Sequence, residues 1–200
     1  DAAARAAKKR GMLVRDNAAG EVVLCRAGQT KASGAIVRGQ NVIELDDIGT
    51  DEERGSEYIA YGQSEVADDF ESAKQKKART VDKEMRRYLP VIINADSKVD
   101  TADLQKLTDH QMRVRRGHAY GLQYKIEGWT TLGKAWDVNE LIPIYDEVAG
   151  LDGEEWLIAD IKYKVELKDG DVRIVTVRPV EAYEPEPEIE RAKSNKKGGK

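Results

Sequence analysis

The sequence predicts an α+β protein that is mainly antiparallel β, with a barrel-like, tube-forming domain and a small helix–hairpin unit. Two runs, 120–126 and 161–167, alternate apolar and polar residues, which is typical of strands with one face in water. The Asp-Gly pair at 169–170 favours a tight type I′ turn and therefore a hairpin. Further strand-like runs follow at 141–145 and 172–177. Several antiparallel strands at such short spacing predict a small barrel.

Residues 1–34 are predicted to form the small α+β unit. The Ala-rich run 1–10 carries cations toward its end and precedes Gly11, as expected of a helix that stops at a glycine. Two β-prone runs, 12–15 and 21–25, flank an Asp-Asn…Gly turn and predict a hairpin. Because the helical pattern already includes the first residue, we expect this unit to continue an N-terminal part of a longer protein.

Residues 35–63 are predicted to supply short strands that join the barrel. The β-prone stretches are 35–38, 41–45 and 58–61. The composition changes from 64 to 83, where acidic and then basic residues dominate and apolar residues are almost absent. This composition predicts an exposed loop or linker.

The middle region 64–116 as a whole is predicted to be a linker followed by an edge strand and a helix. Pro90 in the run 89–93 indicates a short buried strand that begins at the edge of a sheet. Acidic residues open the helical run 100–116, and Gly117 ends it. Its apolar face is narrow, so we expect this helix on a surface or at a subunit contact.

Residues 117–183 are predicted to form the main barrel-like domain, and 184–200 a disordered tail. An irregular connection inside this domain carries distinctive residues. They are Gly128, Trp129, Gly133, Trp136 and Asn139. Large rings beside residues that favour turns predict a broad connection held on the sheet by aromatic burial. None of these residues supplies a nucleophile, a general base or a metal ligand, so the motif indicates architecture.

Composition narrows the function classes. The chain has 200 residues, with 35% charged and 6% aromatic residues and a formal net charge of −4. This balance suits β-rich domains with extensive wet surface, or subunits of a larger assembly, and gives no general attraction to nucleic acid. The single cysteine, Cys25, cannot form an internal disulfide, which fits a reducing cytoplasm. No apolar run approaches the roughly 20 residues that span a bilayer, so we expect no membrane anchor.

We predict no catalytic, cofactor-binding or metal-binding residues. No Gly-rich phosphate loop, nucleophile elbow or Ser/His/Asp arrangement stands out. The acidic run 46–53 lacks the spacing of an EF-hand loop, and His110 and His118 lie too far apart for an i, i+4 metal pair. Cys25 lies in a strand-like run without a matched His, so we interpret it as a small buried apolar residue.

Two binding functions remain open as alternatives. The basic stretches 74–79, 86–87 and 113–116 could contact nucleic acid. They lack interleaved aromatic residues, so solvated faces and inter-subunit salt bridges are the favoured interpretation. The three tryptophans could line a groove for cell-wall sugars, although packing beside strands is the more frequent use of Trp.

Six short motifs occur in an order that resembles a known family. They are RGMLVRD at 10–16, GQNVI at 39–43, SEYIAYGQ at 56–63, RYLP at 87–90, the segment from Gly128-Trp129 to Asn139-Glu140-Leu141-Ile142, and RPVEAY at 178–183. Together they resemble the baseplate hub family of contractile-tailed phages, in particular the phage-Mu type (tail protein P, late-control-D-like). The resemblance covers nearly the whole chain up to Tyr183, and it matches the C-terminal portion of that family.

The resemblance implies a structural role in a virion, a prophage remnant or a tail-derived bacteriocin. It implies a homotrimeric ring in the tail baseplate that joins the sixfold tail tube to the trimeric cell-puncturing spike. The implied partners are copies of the same chain, the spike protein, the tail tube and other baseplate proteins, with DNA only in transit. A carbohydrate- or nucleic-acid-binding module of a tail-associated protein is the alternative.

Candidate residues for a ring contact come from two charged segments. The basic helix end offers Arg113, Arg115 and Arg116, and the acidic run offers Asp46, Asp47, Asp51 and Glu52. Ring closure uses two different, complementary patches on each subunit, and opposite charges suit such patches. We therefore expect these two sets on opposite sides of one contact.

Overall fold

The computed structural model describes residues 12–16, 20–62, 76–95 and 99–187. The predicted helix at 1–10, most of the predicted linker and nearly all of the predicted tail lie outside these described residues. Within them the structure is mostly β with a single α-helix, and the sheets are antiparallel or mixed. The α+β class with a dominant antiparallel sheet is therefore confirmed.

The described residues form twelve strands, the helix α1 and one short 3₁₀ helix. In chain order the strands are β1 (Leu13–Asp16), β2 (Val22–Cys25), β3 (Thr30–Lys31), β4 (Ile36–Val37), β5 (Val42–Asp47), β6 (Glu57–Tyr61), β7 (Lys77–Val81), β8 (Pro90–Asn94), β9 (Leu122–Glu127), β10 (Glu140–Asp146), β11 (Leu151–Glu166) and β12 (Gly170–Arg178). Helix α1 spans Thr101–Ala119, and the 3₁₀ helix spans Val180–Tyr183.

The chain divides into two compact units. Unit one comprises Asp1–Glu53 and Val114–Pro185, and unit two comprises Arg54–Arg113 and Glu186–Lys200. The division falls inside α1, so the helix contributes to both.

Unit one is built on a seven-stranded sheet in the order β3-β10-β11-β12-β9-β5, with β4 also paired to β10. The neighbours from β10 to β5 are antiparallel, whereas β3 and β4 run parallel to β10. The turn between β11 and β12 has a positive φ at Gly170, a conformation that glycine adopts without steric cost. In the described part of the chain this pairing is an open path and not a closed barrel, so the predicted barrel goes beyond the observed pairing.

Strand β11 is longer than the sequence predicted. It runs for 16 residues, whereas alternation predicted only its second half. The register of β11 against β12 shifts between Ile158 and Asp160, which marks a β-bulge. The adjacent residues Leu157 and Ile158 are both buried, so the period of two is interrupted there and hides the first half of the strand.

One face of this sheet carries the apolar core of unit one. The core residues are Ile36, Leu122, Tyr124, Ile126, Trp136, Ile142, Ile144, Ile158, Val175 and Val177. They come from five strands and from the connection before β10. Burial of so many large side chains, each worth about 1.5–3 kcal/mol, is the main stabilising contribution in this unit.

Unit two contains a three-stranded sheet in the order β7-β6-β8, in which β8 runs parallel to β6. Its apolar cluster is small and consists of Ala60, Ala78, Ala95, Val99 and Leu104. Leu104 is the contribution of α1 to this cluster, so the first half of the helix covers one face of the sheet.

Three predictions for this region were wrong in detail. Strand β6, which the sequence grouped with the barrel strands, pairs with β7 and β8 instead. Strand β7 lies inside the stretch predicted as linker. It was not predicted as a strand because its Lys and Arg residues alternate with small residues, which gives no apolar signal. Strand β8 begins at Pro90 on a sheet edge as predicted, but it is not buried, and Ile92 is 63% exposed.

The hairpin predicted near the beginning of the chain is present. Strands β1 and β2 form a separate two-stranded antiparallel sheet in which Leu13 faces Cys25 and Asp16 faces Val22. The residues of the predicted turn at 17–19 lie outside the described residues.

Candidate subunit interface

The acidic candidates lie on and after the edge strand of the unit-one sheet. Asp46 and Asp47 belong to β5, which pairs only with β9 among the described strands. Asp51 and Glu52 follow in the next loop, and all four side chains are exposed. The Asp47 carboxylate accepts a hydrogen bond from the backbone N–H of Gly49 at 2.9 Å, which closes a local turn. The structure therefore groups these residues into one acidic edge.

The basic candidates lie on the last turns of α1 and are partly buried. Arg115 donates from Nη1 to the backbone oxygen of Glu53 at 2.8 Å, and Arg116 pairs with Glu181 at 2.9 Å. Arg113 is also partly buried. Arg115 thus binds the end of the acidic segment within one chain. This arrangement differs from the predicted one, in which the two sets face each other across a contact between copies.

The aromatic connection between β9 and β10 is anchored through Trp136. This ring is only 3% exposed, and its Nε1 donates to the backbone oxygen of Ser33 at 2.7 Å. The hydroxyl of Tyr163 donates to the backbone oxygen of Trp136 at 2.9 Å. The guanidinium of Arg173 lies over the Trp136 ring, 3.7 Å from its centroid, which is a cation–π arrangement. Tyr163 of β11 and Arg173 of β12 therefore hold this connection on the sheet.

The other members of the motif shape the two ends of the connection. Trp129 is half-exposed, and its Nε1 donates to the backbone oxygen of Lys164 at 3.0 Å. Gly128 and Gly133 both have a positive φ, at 72° and 75°, which turns the chain where a side chain would be strained. These contacts are architectural, as the residue types indicate.

Asn139 links the end of the connection to the segment after β2. It adopts a positive φ of 70°, which Asn tolerates better than most residues. Its Nδ2 donates to the backbone oxygen of Arg26 at 2.9 Å, and its Oδ1 accepts from the N–H of Gly28 at 3.3 Å. Its own N–H donates to the backbone oxygen of Ile158 at 2.8 Å. One side chain thus connects the sheet to the chain that follows the first hairpin.

A buried carboxylate that the sequence did not indicate lies at the end of β10. Asp146 accepts from Arg38 Nε at 2.6 Å and from the hydroxyl of Tyr124 at 3.2 Å. It also accepts from the backbone N–H groups of Val148 and Ala149 at 3.0 and 3.3 Å. Burial alone would raise the pKa of Asp146, but these donors, Arg38 first, outweigh it and lower that pKa. Burial and the neighbouring carboxylate raise the pKa of Tyr124.

The geometry supports neither a metal site nor a sugar groove. The described residues contain no cluster of His, Cys, Asp and Glu that could hold a metal ion. His118 packs edge-to-face on Tyr183, with 5.7 Å between the ring centroids. Trp136 is buried and Trp156 packs against the core, so the tryptophans do not share an exposed groove. Among the described residues, no helix combines the length and apolarity that crossing a bilayer requires.

The similarity of the chain to known proteins agrees with the resemblance that the order of its motifs indicated. No protein-family model matches the chain. The chain is 32% identical, over 206 aligned positions and all of its length, to baseplate hub protein gp44 of Escherichia phage Mu, and it spans 54% of that protein. It also resembles the 43 kDa tail protein of prophage MuSo2 from Shewanella oneidensis, with a TM-score of 0.72 and 29% identity, over 90% of this chain and 53% of that one.

A second solved structure supports the fold. The tail protein from Neisseria meningitidis MC58 gives a TM-score of 0.69 at 17% identity, over 90% of this chain and 54% of that one. The chain therefore spans about half the length of each of these relatives.

Fold and relatives together define a structural protein of phage and prophage tails, since the proteins that it resembles are tail and baseplate components and not enzymes. More narrowly, the chain is a relative of the Mu-type baseplate hub proteins, and the resemblance predicted from its motifs is confirmed. Its location is accordingly the virion tail.

Proposed function

We propose that this chain is the ring-forming part of a tail baseplate hub. As a homotrimer it would join the sixfold tail tube to the trimeric cell-puncturing spike and would contact other baseplate proteins. The observation that carries the proposal is the identity of 32% to the phage Mu hub protein along the whole chain. Because the chain spans about half of that relative, the trimer and its partners are part of the proposal.

The path of the unit-one sheet supports a barrel-like, tube-forming domain. The N–H of Arg38 donates to Tyr145 of β10 at 3.0 Å, and the oxygen of Asn41 accepts from Glu127 of β9 at 3.0 Å. Strands β9 and β10 are separated by β11 and β12 in the sheet order. The short segment 38–41 therefore bonds to both β9 and β10, which requires the sheet to curl. The contact between Tyr124 of β9 and Asp146 of β10 crosses the same interval.

In this proposal β4 and β5 complete the barrel as one bent strand. The proposed barrel domain joins 35–47 to 117–183, and unit two is an insertion between them. The apolar core then fills the barrel, and the polar faces of the strands remain for neighbouring subunits or for a channel lumen. DNA would be in contact with the ring only while it passes.

The test is the mass of the chain in solution, measured by light scattering over a concentration series. We expect the mass to rise to three chains and to stop there, because a closed ring has no further contact to offer. Negative-stain images of the largest species should show rings. A mass of one chain at every concentration would contradict the proposed ring.

The two alternative functions make different predictions. A nucleic-acid module would retard DNA with an affinity that falls steeply with salt. A sugar-binding module would change its Trp fluorescence with glycans while it stays monomeric. We expect neither response from the hub protein.

A further inference from the structure

The three-stranded sheet of unit two has one covered face and one open face. On the covered face, Thr80 lies next to the helix, where its hydroxyl is 2.8 Å from that of Thr108 in α1. Side chains alternate along a strand, so the neighbours of Thr80 on β7 point to the other side. The strand register then assigns the open face. It consists of Lys77, Arg79 and Val81 of β7, Glu57, Ile59 and Tyr61 of β6, and Pro90, Ile92 and Asn94 of β8.

The open face is apolar in its middle and exposed. Ile59 lies between Arg79 and Ile92 in the register. Ile92 is 63% and Val81 46% exposed. Tyr88, in the loop that enters β8, is 75% exposed. An apolar strip of this kind with a polar rim marks an interaction surface.

The rim of this face is basic. Lys77 lies over the ring of Tyr61, 5.5 Å from its centroid, and Arg79 is paired with Glu57. Strand β7 ends and β8 begins on either side of Glu57, so the loop that joins them lies at that end of the sheet. This loop carries the exposed residues Arg86 and Arg87. A partner that covers the apolar strip therefore has to bring negative charge to its edges.

The same chain carries a surface of that chemistry on unit one. Strand β5 is an edge strand, since no described strand pairs with its outer side. Glu44 and Asp46 on this strand are exposed, and the neighbouring Ile43 is exposed as well. With these residues added to Asp47, Asp51 and Glu52, the acidic edge offers carboxylates, one apolar side chain and a strand edge that no described strand pairs with.

We propose that the open face of unit two, with its basic rim, docks onto the acidic β5 edge of a second copy of this chain. The contact joins two different patches and is therefore heterologous, and such contacts generate closed rings when the rotation closes. This inference rests on the proposed function, because it names the contact that closes the proposed ring. It also replaces Arg113, Arg115 and Arg116 as the basic side of that contact, since Arg115 and Arg116 are bound inside the chain.

Nucleic acid fits the open face less well. Glu57 lies in the middle strand of the face and is ion-paired there, so part of the positive charge is neutralised. The middle of the face is occupied by Ile59 and Ile92, which offer no aromatic ring for base stacking. The acidic edge of a second copy satisfies both the apolar strip and the basic rim.

The test compares self-association of the wild-type chain with that of three charge variants. The face variant is Arg86→Glu with Arg87→Glu, and the edge variant is Glu44→Lys with Asp46→Lys. We expect each to weaken self-association by about tenfold or more, because like charges then meet across the contact. Combining all four substitutions in one chain restores opposite charges, so we expect association to recover.

A matched control for the face variant makes the same change in net charge elsewhere in the chain. Lys134→Glu with Lys164→Glu alters exposed residues of unit one outside both patches, and we expect wild-type association. Ile92→Ser tests the apolar strip without changing charge and should weaken association as well. Circular dichroism and thermal melting establish that each variant is folded.

Failure of this contact alone and failure of the proposed function give different outcomes. Wild-type trimers together with an unchanged face variant would overturn the contact and leave the ring standing. Loss in the face variant without recovery in the fourfold variant would overturn the acidic edge as its partner. DNA retardation by the wild-type chain that the face variant abolishes would assign the face to nucleic acid instead. A wild-type chain that stays monomeric would remove the ring and the contact together.

Discussion

Each of the two units buries an arginine, and each does so by a different physical solution. In unit two, Arg54 is paired with Asp82 through two nitrogens, at 2.8 and 3.3 Å, and with Glu84 at 2.6 Å. In unit one, Arg173 lies over the ring of Trp136, and its Nε and Nη1 make no hydrogen bond with the described residues. Burial accordingly lowers the pKa of Arg173. One cation is balanced by carboxylates and the other by an aromatic face.

The difference follows from the size of the two cores. Unit one has a large core of aliphatic and aromatic side chains, so it tolerates the cost of one incompletely bonded cation. The apolar cluster of unit two consists mainly of alanines. Ion pairs must therefore hold its sheet and loops together, which makes unit two the part of the protein that is sensitive to loss of charge. Substitutions in both units test this contrast.

Replacement of Arg54 by Met should have the largest effect. It removes the buried guanidinium partner of Asp82, and breaking a buried pair from one side costs about 3–5 kcal/mol. The measurement is urea unfolding combined with hydrogen exchange, which should locate the loss in unit two. Lys106→Met, which removes an exposed ion pair with Asp103 in the same unit, is the matched control. If both variants unfolded at the same urea concentration, the ion pair would not stabilise unit two.

Replacement of Asp146 by Asn should have an intermediate effect in unit one. The side chain keeps its shape but loses the charge that accepts from Arg38, which costs about 1–3 kcal/mol. The loss is smaller than in the first case because Arg38 is 35% exposed and regains water. Urea unfolding measures it, with Asp152→Asn as the exposed control. A midpoint equal to that of the control would contradict this role of Asp146.

Acid should weaken unit one through the same carboxylate. The folded state lowers the pKa of Asp146, so its contribution is present above the unfolded value of about 3.9 and is lost as the pH falls through the lower folded value. The urea midpoint of the wild-type chain should therefore fall below about pH 4. The midpoint of the Asp146→Asn variant should fall less over the same interval. Parallel curves would mean that other carboxylates cause the acid sensitivity.

Replacement of Arg173 by Met should have the smallest effect. It removes a buried cation that has no carboxylate partner among the described residues and leaves a side chain of similar length against Trp136. We expect a change in the free energy of unfolding within about 1 kcal/mol, since apolar replacement of a buried charge is often neutral or stabilising. A loss as large as that of Arg54→Met would show that the stacked cation stabilises unit one as strongly as an ion pair.

Local sequence signals predicted the parts of the fold whose cause is local. The Asp169-Gly170 turn, the hairpin of β1 and β2 and the helix after Asp100 were all predicted, because turn chemistry, capping and period-two patterning act within a few residues. Strand β7 was missed because Lys77 and Arg79 alternate with small side chains, which give no clear apolar period.

The interface candidates show the limit of such signals. Charge identified Asp46 and Arg115 as surface residues of opposite sign, but only the fold shows that Arg115 binds the backbone of Glu53 in the same chain. The open face of unit two was equally hidden. Its residues come from the separate stretches 57–61, 77–81 and 90–94, and only strand pairing brings them to one face.

Patterning along the chain was enough to predict the α+β class and most strand positions, and the order of the motifs was enough to predict the relationship to phage baseplate hubs. These properties depend on neighbouring residues or on motif order, which are written directly in the chain. Only the tertiary structure decided that β6 leaves the large sheet, that Asp146 meets Arg38, and that Arg54 meets Asp82. These partners are separated by 108 and 28 residues, and no local preference specifies which distant group a buried charge will find.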